Sequence, residues 1–145
     1  MSKKVVIVSA ARTPIGSFMG SLSTVPATQL GAIAIKGALD KIKLDPNLVD
    51  EVLMGNVVQA GNGQAPARQA AIFAGLPNTV PGYSVDRWCA GALTAVTTIA
   101  GAIAMGTNEI AIAGGVEHMG NHPMGELMDP NPRYLAERIV EQDAL

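Results

Sequence analysis

A single thiol, Cys89, is present in the 145 residues. No disulfide can form within the chain, and a reducing compartment is the natural setting, so a cytoplasmic location is expected. Aromatic residues are scarce at 3%, charged residues make up only 15%, and the net charge is −2. There is no basic run and almost no aromatic interleaving, which argues against a nucleic-acid partner. The opening apolar run Val5-Val6-Ile7-Val8 is too short for a secretory signal. The one long uncharged stretch, residues 89–108, is dominated by Ala, Gly and Thr and bracketed by Arg87 and Glu109. It reads as a helix buried inside a soluble protein, so no membrane partner is expected. Neither an internal repeat nor a low-complexity segment is found.

What is abundant is small apolar residues. Hydrophobic residues reach 48% and glycine 16 residues, so the core must be built from Ala, Val, Ile, Leu and Met with close backbone contacts. Residues 5–9 form a β-branched run expected as a buried strand, ended by the loop 10–16. Pro26 can open a helix, with Leu30, Ile33, Ala34, Gly37 and Ala38 on one face. Asp45-Pro46 is a compact helix start. A strand is expected over 51–58 and a helix over 65–74, stopped by Gly75 and Pro77. A short strand over 83–86, a long small-residue helix over 90–105 ended by Gly106, and a strand over 109–113 follow. Residues 121–133 hold three prolines without clear period and read as a loop; 134–142 reads as a charged amphipathic helix. Alternation of this kind predicts an α/β fold, a parallel sheet with helices on both faces.

Cys89 sits just after a predicted strand and just before the long helix. There the helix dipole and the free N–H groups of the first turn favour a thiolate and can receive an oxyanion. A lone cysteine is otherwise most often a small buried hydrophobe. The surrounding residues decide between these readings. Val85-Asp86-Arg87-Trp88-Cys89-Ala90-Gly91-Ala92-Leu93, followed by Ala111-Ile112-Ala113-Gly114-Gly115-Val116-Glu117-His118-Met119, resembles the nucleophile region of thiolases. Val6 to Gly16 is similar to the family's opening strand and loop. Met54-Gly55-Asn56-Val57 and Gly63-Gln64-Ala65-Pro66-Ala67-Arg68-Gln69-Ala70 look like its second strand and following helix. The resemblance covers essentially the whole chain in register.

The resemblance implies a thiolase-like N-terminal domain over 1–120, mostly parallel and mixed, lacking its last strand, and the start of a loop or lid domain over 121–145. It implies Cys89 as catalytic nucleophile, taking an acyl group from acyl-CoA. A second base then deprotonates acetyl-CoA, and the carbanion attacks the acyl-cysteine to give a 3-ketoacyl-CoA; thiolysis is the reverse. Coenzyme A thioesters are the implied substrates, with no permanently bound cofactor. A homo-oligomer, dimer or tetramer, is implied, with residues 83–86 near the twofold contact; otherwise a second chain supplies the C-terminal half. The family's remaining catalytic groups, a His in a Gly-His-Pro context, an Asn and a second Cys, have no counterpart here. This chain alone is therefore expected to lack turnover.

Two departures stand out. The family's Ser-Gly pair after the nucleophile is Gly91 and Ala92 here, which alters how closely the helix start approaches its surroundings. An upstream Asn is Asp86, whose carboxylate opposes thiolate formation unless paired, with Arg87 or Arg68 as candidates. Other signals are weaker. Gly61-Asn62-Gly63-Gln64-Ala65-Pro66 follows a strand and opens a helix, but Pro66 replaces the third glycine of a dinucleotide motif. Glu117, His118 and His122 lack zincin spacing, so no metal is expected; Glu117 is read as structural support beside the site. Met119, Met124 and Met128 either line an acyl pocket or fill a lid core. The alternative function is a non-catalytic thiolase-like protein that binds lipids or partners. A ketosynthase relative is a third reading, against which the segment Gly63-Gln64-Ala65-Pro66-Ala67-Arg68 speaks. Acyl-chain length and direction of reaction stay open.

Overall fold

The computed structural model describes residues 4–121. The expected loop and helix beyond Asn121, with His122, Met124 and Met128, lie outside the described residues. Three helices and three strands alternate as expected: α1 (Ala27–Ile42), β1 (Glu51–Gly55), α2 (Pro66–Phe73), β2 (Gly82–Val85), α3 (Gly91–Met105) and β3 (Ala111–Gly115). The sheet is parallel in the order β2-β1-β3, with Val52 opposite Gly82 and Glu51 opposite Ala111. The chain moves outward from β1 to β2 and then back past β1 to β3. Crossovers of one hand travelling in opposite directions fall on opposite faces. Accordingly α1 and α2 pack with Val52 and Met54 on one face, while Ala95 and Ile99 of α3 pack on Leu53 on the other.

Local chemistry sets the element ends. Asp45 caps the short turn Pro46–Leu48, its carboxylate accepting the Asn47 N–H at 2.9 Å. Those bonds hold the Asp45 carboxyl below its ordinary value. Pro66 starts α2 behind Ala65, and Gly75 (φ +91°) turns the chain out of it. Gly106 (φ +83°) ends α3, the left-handed position that glycine occupies without Cβ strain. Across the amino ends of the strands, Glu51 receives the Tyr83 hydroxyl at 2.8 Å and the Asn108 amide at 3.1 Å. Partial burial first, and then the Glu51 carboxylate, push the Tyr83 hydroxyl above its ordinary value.

Four expectations need correction. Residues 5–9 are extended but bond to no strand, and Ile7 is 80% exposed. Ser9 Oγ instead donates to the Ala38 carbonyl of α1 at 2.7 Å. Among the described residues neither this segment nor the outer edge of β3 has a strand partner. The buried seam of α1 is Ala27, Leu30, Gly31, Ala32, Ile35 and Leu39, and Ile33 is exposed. The helix makes its close approach at Gly31, where a Cβ would meet Met54 Cε at 3.1 Å and Ala70 Cβ at 3.2 Å. Counting bulky apolar residues misplaces a seam whose contact point has no side chain. β1 ends at Gly55, short of residue 58, because the backbone beyond it turns to other partners. Finally, α3 is not enclosed: Gly91, Ala95 and Ile99 are buried, whereas Leu93 and Met105 are exposed. The stretch Trp88–Met105 is long and apolar enough to cross a membrane by length and composition, yet one face of it seats on the sheet.

Candidate active site

Parallel strands bring their carboxyl ends to one edge, the edge where sheets of this kind bind ligands. Here that edge is formed by Gly55, Val85 and Gly115. Asn56 N–H continues the ladder by donating to the Val85 carbonyl at 3.0 Å, and Val116 N–H donates to the Gly55 carbonyl at 3.0 Å. The chain leaving β2 passes through Asp86 and Arg87 into a single 3-10 turn, Trp88–Ala90, and then directly into α3. Cys89 is the middle residue of that turn, and it is exposed.

Trp88, immediately before the cysteine, has φ +50°, a left-handed conformation that a non-glycine residue adopts at a cost of about 1 kcal/mol. Asp86 Oδ1 holds it there by accepting the Trp88 N–H at 3.1 Å. This corrects the expected pairing of Asp86. Arg68 instead donates to the Val80 carbonyl, and to Asn78 at 2.8 Å, while Arg87 reaches Thr94 Oγ1 at 3.4 Å. The α3 N-terminus carries no side-chain cap and no acidic residue in its first turn. The Gly91 N–H is taken by the Trp88 carbonyl, so it is the uncapped dipole of α3 and the N–H groups after Gly91 that favour a negative charge developing beside Cys89.

The turn rests on two glycines. A Cβ on Gly55 would lie 2.5 Å from the Gly91 carbonyl carbon, and one on Gly115 would lie 2.9 Å from Ala92 Cβ. Gly91 in turn lets α3 start against Gly55 Cα, 3.1 Å from its own missing Cβ. Gly91 and Ala92, the two positions expected to alter the approach of the helix start, are the residues that make these contacts. Sequence reasoning passed over Gly55, Gly115 and Asn56 as parts of the site; glycines placed at strand ends were the available signal.

The neighbouring groups are spoken for. Glu117 accepts the N–H groups of Val57 and Val58 at 2.7 and 3.2 Å. His118 uses both ring nitrogens: Nδ1 accepts the Asn121 N–H at 3.2 Å, which leaves Nε2 to donate to the Leu22 carbonyl at 2.8 Å. No group of three His, Cys, Asp or Glu residues that could hold a metal is found among the described residues. In the Gly61–Pro66 region, Gln69 Nε2 donates to the carbonyls of Asn62 and Gln64, which closes the loop upon itself. Met119 is 46% exposed.

Residues 5–145 match the family model described as thiolase, N-terminal domain. The chain is 50% identical over 145 residues to a human protein named mitochondrial acetyl-CoA acetyltransferase, covering 99% of this chain and 34% of that one. A zebrafish (Danio rerio) protein of the same name is 46% identical over 144 residues, 98% of this chain and 34% of its own length. A cytosolic acetyl-CoA acetyltransferase of Gibberella zeae is 55% identical over 119 residues, 82% and 30% respectively. The chain thus spans about a third of the length of these relatives. The expectation of a cytoplasmic location does not stand, since two of the three carry mitochondrial names. A reducing environment and a lone cysteine do not separate the two compartments. Nothing in these likenesses favours the non-catalytic alternative. With the family model matched almost from end to end on a parallel α/β sheet, the chain belongs to the thiolase family, whose N-terminal domain it carries.

Proposed function

We propose that this chain carries the nucleophile of an acyl-CoA acyltransferase, with Cys89 as the acyl acceptor. The observation that carries the proposal is the placement of Cys89: exposed, on a turn held by Asp86, at the carboxyl edge of the sheet and at the uncapped start of α3. The Cys89 sulfur attacks the thioester carbonyl of an acyl-CoA, the new C–S bond forms, and coenzyme A leaves as its thiol. The N–H groups at the head of α3 face the oxyanion of the tetrahedral intermediate. The acyl-cysteine stays a thioester and so stays activated. An acetyl-CoA carbanion attacks it to form the carbon–carbon bond of a 3-ketoacyl-CoA and releases Cys89; thiolysis runs the same steps backwards. The base that removes the acetyl-CoA proton is proposed to come from outside these 145 residues. The proposed setting is fatty acid metabolism. Oligomerisation is proposed through β2, which among the described residues has one sheet neighbour and so offers an open edge.

Alkylation of the native polypeptide tests the assignment. Iodoacetamide should label Cys89 near neutral pH, and saturating acetyl-CoA should slow the labelling at least about ten-fold, a shift corresponding to ~1.4 kcal/mol. Labelling that acetyl-CoA leaves unchanged would sink the nucleophile assignment.

A further inference from the structure

The strand ladder stops at the pair Gly55 and Gly115, one residue before the chain begins to build its most elaborate side-chain junction. Asn56 is 3% exposed. Its Nδ2 donates to the Val116 carbonyl at 3.0 Å and lies 3.4 Å from each Glu117 carboxylate oxygen. Beyond it, the N–H groups of Val57 and Val58 have left the sheet and are taken up by Glu117 Oε2 and Oε1. One carboxylate thus gathers three donors from a segment about 60 residues away in sequence. The orientation of Asn56 is forced: reversing the amide would set Oδ1 against the Val116 carbonyl and the Glu117 carboxylate. Held this way, Oδ1 is buried and has no partner among the described residues.

What the junction ties is the seat of the cysteine turn. Gly55 and Gly115 are the two points on which Gly91 and Ala92 rest, two and three residues after Cys89. The chain leaving Gly55 runs into Asn56-Val57-Val58, and the chain leaving Gly115 runs into Val116-Glu117. Glu117 therefore clamps both rails together just past the place where α3 starts. Without it the two strand ends keep only the Val116 N–H to Gly55 carbonyl and Asn56 Nδ2 to Val116 carbonyl bonds between them, and the helix start loses part of its support. We propose that Glu117 is a positioning residue for Cys89, acting through the backbone of residues 56–58; this rests on the reading of Cys89 as the nucleophile. It touches neither substrate nor sulfur. A misplacement of about 1 Å at a reacting group costs on the order of 100-fold in rate, which sets the upper range of the effect.

The test uses the native polypeptide with Glu117→Ala and Glu117→Gln. Two quantities are read: the iodoacetamide rate per titrated Cys89 thiol, with and without acetyl-CoA, and the melting temperature. Glu117→Ala should lower the alkylation rate per titrated site by about 10- to 100-fold. Glu117→Gln keeps one acceptor oxygen and should fall between wild type and Glu117→Ala. A purely structural role would lower the melting temperature and the titratable fraction while leaving the rate per site unchanged, and that result overturns the proposal. Should Glu117→Ala fail to fold, Glu117→Gln decides alone: a rate per site equal to wild type overturns the proposal, and a reduced one supports it. A wild-type Cys89 that acetyl-CoA does not protect overturns the nucleophile reading and the positioning role together. A protected wild type with unchanged variants overturns the positioning role only.

Discussion

Replacing Gly55 by alanine tests whether the cysteine turn is seated by backbone contact. Gly55 lies outside the left-handed region, so its backbone conformation does not itself demand glycine. The added methyl carbon would lie 2.5 Å from the Gly91 carbonyl carbon, 2.6 Å from the Ala92 nitrogen and 2.8 Å from Gly91 Cα. Ordinary carbon–carbon contact begins near 3.5 Å, so the start of α3 must withdraw by about 1 Å. No side-chain rotation can relieve the clash, because all three atoms belong to backbone. The cost therefore belongs at the top of the overpacking range, about 3 kcal/mol. For a chain of this size that corresponds to a fall in melting temperature of roughly 10 °C. Displacing the head of α3 also displaces Cys89, so its alkylation rate should fall with stability. Thermal unfolding followed by circular dichroism, with iodoacetamide labelling of the same samples, reads both. A Gly55→Ala protein that melts within about 2 °C of wild type and labels equally fast would refute the seating argument.

Gly101 provides the opposite case. It lies inside α3, and beyond its own helix backbone no atom of the described residues comes within 4 Å of a built Cβ, so Gly101→Ala should stabilise this chain by about 0.5–1 kcal/mol through helix propensity alone; a lower melting temperature would show that another surface covers that side of α3. Asp50 supplies a pH dependence. Its carboxylate accepts the N–H groups of Glu109 and Ile110 at 2.7 and 3.0 Å; these bonds, that to Glu109 foremost, hold its pKa below the ordinary value against a small opposing effect of burial. A depressed folded-state pKa contributes stability that is present above the unfolded value and is lost as pH falls through the folded one. Asp50→Ala should therefore cost about 1 kcal/mol at pH 7, the low end for an exposed charged acceptor. The gap to wild type should narrow below roughly pH 4. Urea midpoints differing by the same amount at pH 7 and pH 3 would contradict that assignment.

The alternation of helices and strands was legible because its signals are local. Pro26, Pro66, Gly75 and Gly106 punctuate the helices, and the apolar runs at 51–55 and 111–113 are bounded by turn residues. Where reading failed, the missing information was tertiary. Residues 5–9 have the composition of a buried strand, yet a strand exists only where a partner receives its hydrogen bonds. The α1 seam was misread because its contact point, Gly31, carries no apolar side chain to count. Cys89 could be singled out from its neighbours in sequence, whereas Glu117 could not be tied to Val57 and Val58 without the sheet that brings them together. Asp86 looked like a charge needing a cation; its partner is the backbone N–H two residues on.

The two departures from the family pattern beside Cys89 can now be weighed physically. Asp86 stands where thiolases often have Asn, and the bond it makes uses a single side-chain oxygen, Oδ1, on the Trp88 N–H. An asparagine carbonyl oxygen supplies the same acceptor, so the turn keeps its geometry and only the charge differs. Gly91 stands where the family has Ser. A Cβ there would meet Gly55 Cα at 3.1 Å, a contact relieved by a few tenths of an ångström of helix movement. Ala92 stands where the family has Gly, and its methyl lies over Gly115, in the space that a Cβ on Gly115 would need. One position has lost a side chain where the helix start meets β1, and the next has gained one where it meets β3. Both exchanges fall on the seat of the turn while its two glycine rails, Gly55 and Gly115, are retained, so their effect belongs to the packing of the helix start beside Cys89.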